Sequence, residues 1–297
     1  VSLTFEEIAI AFSNCNSDAK TSFKNYLVNL YKSKEDYEKG FIISNVNNYI
    51  LTDIEKLLAK AVLNICAADN LIKQGYFSWG FVTSYYANFF LIQGLNRTQL
   101  NFTTWVSRSI DCVEKDYQNK NLHIIGIANS TDEHQRQFKR FFENFSHFRN
   151  RKGIDRYWNI GIKPFELGNE SERRNKINYE ICSDAFYELD LDNIEFKKII
   201  KDNLYSPFTE YKENSRTFDN YSRRNLKLAI ARLRMLTYTL NFIAVRNLEY
   251  QSYYQRNMKN RLTAINQKYP DVSVWIKELF QQWLIFDSEI VDNDDVF

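Results

Sequence analysis

The sequence predicts a mainly α protein: a helical bundle over residues 1–150, an irregular insertion or linker over 151–178, and a second helical part over 179–297 packed on the first. Three observations predict it. Turn-forming residues are scarce, with 8 glycines and 3 prolines in 297 residues, and a many-stranded sandwich or barrel needs more punctuation than that. Apolar residues recur at helical spacing over long stretches. Aromatic residues abound, with 23 Phe, 19 Tyr and 5 Trp, enough to fill a sizeable core in a chain of this length.

Residues 3–31 predict two helices. Ser17-Asp18 caps the second, which carries Phe23, Tyr26, Leu27 and Leu30 on one face. Thr52 with Glu55 three residues on forms a capping box. After it Ile54, Leu57, Leu58, Ala61, Val62 and Ile65 make one stripe, and the helix ends near Gly75. FSWGFVTSYYANFFLIQGL (77–95) is apolar around its whole circumference, which predicts the central helix of a bundle. Residues 100–122 predict a further helix with Trp105, Ile110 and Val113 as its apolar positions. LHIIGIANS (122–130) fits a short strand or a loop. Asp132 opens the helix DEHQRQFKRFFENFSHFRN.

The texture then changes, and 151–178 is glycine-bearing and densely charged, as a boundary or surface excursion is. Residues 183–202 predict a helix, and Ser206-Pro207 a break. The longest periodic stretch runs from about 219 to 262, with Leu226, Ala229, Ile230, Leu233, Leu236, Leu240 and Ile243 as its core side. A last amphipathic helix covers 271–287 beyond Pro270. The acidic tail DNDDVF is expected to fray.

The charge balance is near neutral, +2 from 39 basic and 37 acidic residues, so any nucleic-acid contact must come from a local patch. Cys15, Cys66, Cys112 and Cys182 are far apart, with neither a CxxC pair nor histidine at ligand spacing. They are expected to be reduced, buried thiols in a cytoplasmic protein. No metal or cofactor is expected. Residues 77–95 reach membrane-spanning length, but Ser, Thr, Asn and Gln interrupt them, so no membrane contact is expected. Phosphate-loop, GxGxxG, GxSxG and HExxH motifs are missing. That argues against loop-type nucleotide hydrolases, dinucleotide oxidoreductases, common serine hydrolases and helical zinc proteases.

LLAKAVLNICAADNLIKQGYFSWGFVTSYYANFFLIQGL resembles the helical pair of the HEPN superfamily, with Val82-Thr83-Ser84-Tyr85-Tyr86-Ala87-Asn88-Phe89 matching its Tyr-Tyr-Ala-x-Phe pattern. The likeness covers about 40 of the 297 residues. Packing chemistry alone offers another reading: Ala87 permits close helix approach while Tyr85 and Tyr86 meet different neighbours. The resemblance implies an all-α bundle, often a homodimer. In the ribonuclease members it implies an Arg-x(4–6)-His motif on a later helix. Arg140-Phe-Phe-Glu-Asn-Phe-Ser-His147 is the one match here.

Seven residues at about 100° each return to nearly the same angle. An unbroken helix would therefore set Arg140 and His147 on one face with Arg136, Glu143 and Asn144, opposite Phe138, Phe141, Phe142, Phe145 and Phe148. Histidine titrates near neutrality and can move the proton of a ribose 2′-OH. A guanidinium can clamp the phosphate. The resemblance implies His147 as acid/base, Arg140 as phosphate clamp and Asn144 as the orienting group, in a metal-independent endoribonuclease or toxin-type effector of bacterial defence. One departure stands against it, since Arg140 is followed by Phe where the family often has Asn; and the polar side of an amphipathic helix carries Arg and His by ordinary solvation.

The alternative is a non-catalytic helical module binding RNA or a protein partner, and a small-molecule enzyme with unfamiliar residues is a third reading. An exposed seam of the Phe stripe would favour the partner. Arg136, Arg149, Arg151, Lys152 and Arg156, beside Tyr157 and Trp158, are the candidate RNA contacts. Arg223, Lys227 and Arg234 are expected near one helix face, with Arg224 on another. Either Tyr85 or Tyr86 can offer a hydroxyl to a site wall.

Overall fold

The computed structural model describes residues 2–15, 21–127, 133–148, 156–162, 174–175 and 218–288. The N-terminal region holds α1 (Phe5–Ala11), α2 (Phe23–Asn29) and α3 (Lys34–Lys39). Thr4 caps α1 through a capping box with Glu7, and Ser33 does the same for α3 with Asp36. Ser22 caps α2 by accepting from the Asn25 amide. The expected cap at Ser17-Asp18 lies outside the described residues.

The centre is an antiparallel helical hairpin, α4 (Asn47–Lys73) and α5 (Phe77–Thr98). Gly75, at φ 87°, turns the chain between them, a conformation glycine adopts without steric cost. The helix α4 begins earlier than the expected start at Thr52. The Thr52 hydroxyl bonds back to the Asn48 carbonyl inside the helix, and Glu55 is turned inward. The expected stripe is the buried one, with Ile54, Leu58, Ala61, Val62 and Ile65 all in the core. Each of the Ile, Leu and Val side chains contributes about 1.5–3 kcal/mol by leaving water.

The expected helix over 100–122 is not one. The chain there forms β2 (Asn101–Val106) and β3 (Arg108–Asp116), and β4 (Asn121–Gly126) follows. These strands and β1 (Phe41–Ser44) make an antiparallel sheet in the order β1-β4-β3-β2. The reason is local. Phe102, Thr103, Thr104, Trp105 and Val106 are β-branched or aromatic and fit a pleated surface. Ser107, at φ 59°, reverses the chain between β2 and β3. Phe102, Cys112, Ile124 and Phe41 stand opposite one another across all four strands and point into the core. Of the two readings for 122–130, the strand holds over Asn121–Gly126.

Two pieces follow: α6 (Glu133–Phe145), continued by a 3₁₀ turn at Ser146–Phe148, and α7 (Arg156–Ile162). The long periodic C-terminal stretch is two helices, α8 (Phe218–Arg246) and α9 (Leu248–Lys268). Asn247 breaks it at φ −134°, ψ 95° and caps α9 by accepting from the Tyr250 amide. Its side-chain NH₂ donates to the carbonyls of Phe12 and Cys15, at 2.9 and 2.7 Å. That tether to the N-terminal region favours the break. The last helix, α10 (Val274–Trp283), is fastened to α4 by Asp69, which accepts from the Ser273 amide and hydroxyl at 2.7 and 2.8 Å.

α8 runs beside α5, with Ser222 bonding to the Phe77 carbonyl near one end and Leu236 packed on Gly94 further along. A Cβ on Gly94 would lie 2.9 Å from Leu236 Cδ2, so glycine sets this close approach. One continuous cluster of buried side chains includes Leu3, α5, α8 and Leu284. Ser222–Arg246 has the length and composition to cross a membrane, yet most of it is buried inside this fold. The helix expected over 183–202, the break at Ser206-Pro207 and the C-terminal tail lie outside the described residues.

Candidate functional site

The surroundings of α5 follow from its helical angles. Phe81, Ser84 and Asn88 share one side, Tyr85 and Phe89 the next, Ala87 and Leu91 another, at about 100° per residue. The first side meets α8. There the Asn88 NH₂ donates to Asn225 Oδ1 at 2.9 Å, and Asn225 donates to Ser84 Oγ at 3.0 Å. Arg232 of α8 is wholly buried. It donates to Asn88 Oδ1 and to the Gly161 carbonyl of α7, and it lies over the rings of Phe138 and Phe141. The remaining side of α5 carries Trp79, Thr83, Tyr86 and Phe90. Trp79 is 60 % exposed, while Tyr86 and Phe90 are half-buried.

α6 packs through two of its sides. Phe138, Phe141, Phe145 and Phe148 are buried. Phe145 and Phe148 meet Trp158 of α7, and Phe148 also meets Phe5 of α1. The Phe stripe is therefore core and not an exposed seam. The neighbouring side of α6, expected to present a catalytic face, docks on the β2–β3 hairpin. Gln137 donates to Thr103, at 2.8 Å to its carbonyl and 2.6 Å to its hydroxyl. Arg140 pairs with Asp111 at 2.9 Å. Asn144 donates to Asn96 Oδ1 and the Asn101 carbonyl, and accepts from Asn101 Nδ2 at 2.8 Å.

The three expected catalytic residues thus have separate surroundings. Asn144 is 2 % exposed inside an amide network. Arg140 is mostly covered and faces a carboxylate on the sheet. His147 is exposed on the 3₁₀ turn, its ring 3.9 Å from that of Phe148. The helix stops at Phe145, so the angular relation that holds along an unbroken helix does not carry from Arg140 to His147. Arg136 is half-buried on α6. Arg156 begins α7, and Arg149, Arg151 and Lys152 lie outside the described residues. On α8, Arg223 and Lys227 are neighbours: burial first, and then the charge of Arg223, lower the Lys227 pKa. Arg234 lies apart from them over the rings of Tyr238 and Trp283.

The histidine brought to the Tyr-Tyr helix is His134, in the first turn of α6. Tyr85 Oη and His134 Nδ1 are 2.7 Å apart. Phe89 stacks on the imidazole with ring centroids 4.0 Å apart and planes at 16°. The Arg174 guanidinium lies 5.4 Å from the centre of the Tyr85 ring and 6.0 Å from that of Tyr86. Lys60 of α4 sits 5.5 Å over Phe90. A histidine, two tyrosines, two phenylalanines and two cations therefore meet along one edge of α5. Sequence reasoning passed over His134 and Arg174. The one available signal was His134 standing four residues before Phe138, on the side that turns inward.

Cys15, Cys66 and Cys112 are buried free thiols. Burial raises all three pKa values, to about 11 for Cys15 and about 12 for Cys66. Cys182 lies outside the described residues. Comparisons of the chain with protein-family models, with curated proteins and with solved structures each return no match.

Proposed function

We propose that this chain is a helical RNA-binding module of HEPN-like build. One observation carries the reading: cations lie over half-exposed aromatic rings on a single face of α5. Arg174 covers Tyr86, Lys60 covers Phe90, and Trp79 stands exposed on the same side. Unpaired bases stack on aromatic side chains in a sequence-tolerant way, and nearby cations hold the phosphates. A protein partner would fit an uncharged apolar face better than this one. The docking of Gln137, Arg140 and Asn144 against β2 and β3 supports a packing role for those side chains and favours binding over cleavage at Arg140 and His147.

The test is fluorescence anisotropy of labelled single-stranded RNA with the wild type, Trp79→Ala and Tyr86→Ala, at two salt concentrations. Each substitution is expected to weaken binding about 5- to 150-fold, since a stacked base contributes about 1–3 kcal/mol. RNA that fails to bind even at low salt sinks the proposal. The same RNA is incubated with EDTA beside Arg140→Ala and His147→Ala. Cleavage by the wild type that both variants lose would restore the ribonuclease reading.

A further inference from the structure

We propose that Arg174, His134 and Tyr85 form a phosphate-binding subsite at the edge of the α5 aromatic face. The proposal rests on the RNA reading for the source of the phosphate, and on the side chains themselves for the site.

Arg174 is the starting point. It is 8 % exposed, and its guanidinium lies over two tyrosine rings. Its Nε is buried with no hydrogen-bond partner, and no carboxylate pairs with this arginine among the described residues. Arg97 and Arg140 differ. Arg97 also has a bare Nε, but it faces Asp53 at 3.5 Å. Arg140 has a bare Nη1, but it faces Asp111. In those two the charge is met on the spot. At Arg174 the aromatic faces support the cation and satisfy none of its N–H groups. Buried donors in native proteins are nearly always paired, and an orphan points to a missing acceptor. A guanidinium presents planar, forked donors that match two phosphate oxygens, so the acceptor it fits best is an oxyanion.

The neighbours suit the same ligand. Tyr85 Oη and His134 Nδ1 share one hydrogen bond. When the hydroxyl donates to Nδ1, the imidazole proton sits on Nε2. When the ring is protonated, both nitrogens carry protons. In those two states Nε2 is a donor, whereas it accepts when Nδ1–H donates to the tyrosine oxygen; an anion at Nε2 selects the former, and Phe89 stacked on the ring holds its plane. Tyr85 thus links the histidine to the ring beneath the guanidinium. A phosphodiester group seated here would lie beside Tyr86, whose half-exposed ring meets Phe90 on the side of α5 that also carries Trp79. A backbone phosphate next to a stacking surface is the arrangement single-stranded RNA requires.

The experiment has two arms. In the first, inorganic phosphate is titrated into the ¹⁵N-labelled wild type, and the imidazole resonances of His134, assigned through His134→Gln, are followed. Saturable shifts are expected in the wild type, weaker ones in Arg174→Lys, and none in Arg174→Gln. In the second, RNA affinity is measured against salt. Loss of one phosphate contact should flatten the slope of log K against log salt by about 0.7 in Arg174→Gln, with weaker binding at every salt concentration. Thermal unfolding of each variant checks that the fold survives, and the wild-type phosphate titration stands even where a variant does not fold. Phosphate shifts without RNA binding would keep the subsite and remove RNA as its source. RNA binding with no phosphate response and an unchanged slope in Arg174→Gln would overturn the subsite and leave the aromatic face. Failure of both arms overturns both.

Discussion

Asn144→Ala separates a packing amide from a catalytic one. Asn144 makes three hydrogen bonds: donations to Asn96 Oδ1 at 3.0 Å and to the Asn101 carbonyl at 3.1 Å, and acceptance from Asn101 Nδ2 at 2.8 Å. Truncation orphans Asn96 Oδ1, on a residue with no exposed surface. A buried polar group left unsatisfied costs about 1–3 kcal/mol. Asn101 is only half-buried, so water can replace much of what it loses, and its bonds add about 0.5–1.5 kcal/mol. The expected loss is about 1.5–4.5 kcal/mol, read from urea unfolding followed by tryptophan fluorescence. Asn144→Asp should be at least as damaging, because it removes both donors and sets a carboxylate against two oxygens. If Asn144→Ala unfolds within about 0.5 kcal/mol of the wild type, the packing argument is refuted. A loss of RNA cleavage in that stable variant would return Asn144 to the chemistry.

The buried cluster of Glu55, Tyr250 and Arg261 should behave as a unit. Both partners donate to the Glu55 carboxylate, and burial is nearly complete on the glutamate side. Glu55→Ala should cost about 3–5 kcal/mol by stranding the guanidinium, and a cycle with Arg261→Met showing no coupling would contradict this. Alkali should unfold the protein through its buried tyrosines. Burial and the Glu55 charge hold the Tyr250 and Tyr254 hydroxyls above the ordinary value. Their contribution is thus complete below the unfolded pKa of about 10 and falls as pH rises beyond it. Flat stability between pH 9 and 11 would refute that. Cys15, Cys66 and Cys112 should resist iodoacetamide at pH 8 and react fully in urea, checked by mass spectrometry of the labelled peptides. Ready labelling of Cys112 in the folded protein would contradict its burial.

The sequence alone determined the elements whose reasons are local. The Ile54–Ile65 stripe of α4 is legible because a helix one face of which is buried must repeat its apolar residues at 3.6. The all-round apolar α5 is legible because helices or sheet enclose most of its circumference. The core role of Phe138, Phe141, Phe145 and Phe148 follows from the same period. Tertiary structure decided what depends on partners distant in the chain. Residues 100–122 carry apolar positions that fit either period, and pairing of β3 with β4 and β4 with β1 selects the strands. Whether Arg140 and Asn144 face water or the sheet is invisible on α6 itself, because Asp111 and Asn101 stand 29 and 43 residues earlier. His134 stands 49 residues after Tyr85, so no spacing could reveal their hydrogen bond. Periodicity tells which side of a helix is buried; only the fold tells what buries it, and that is the information a site is made of.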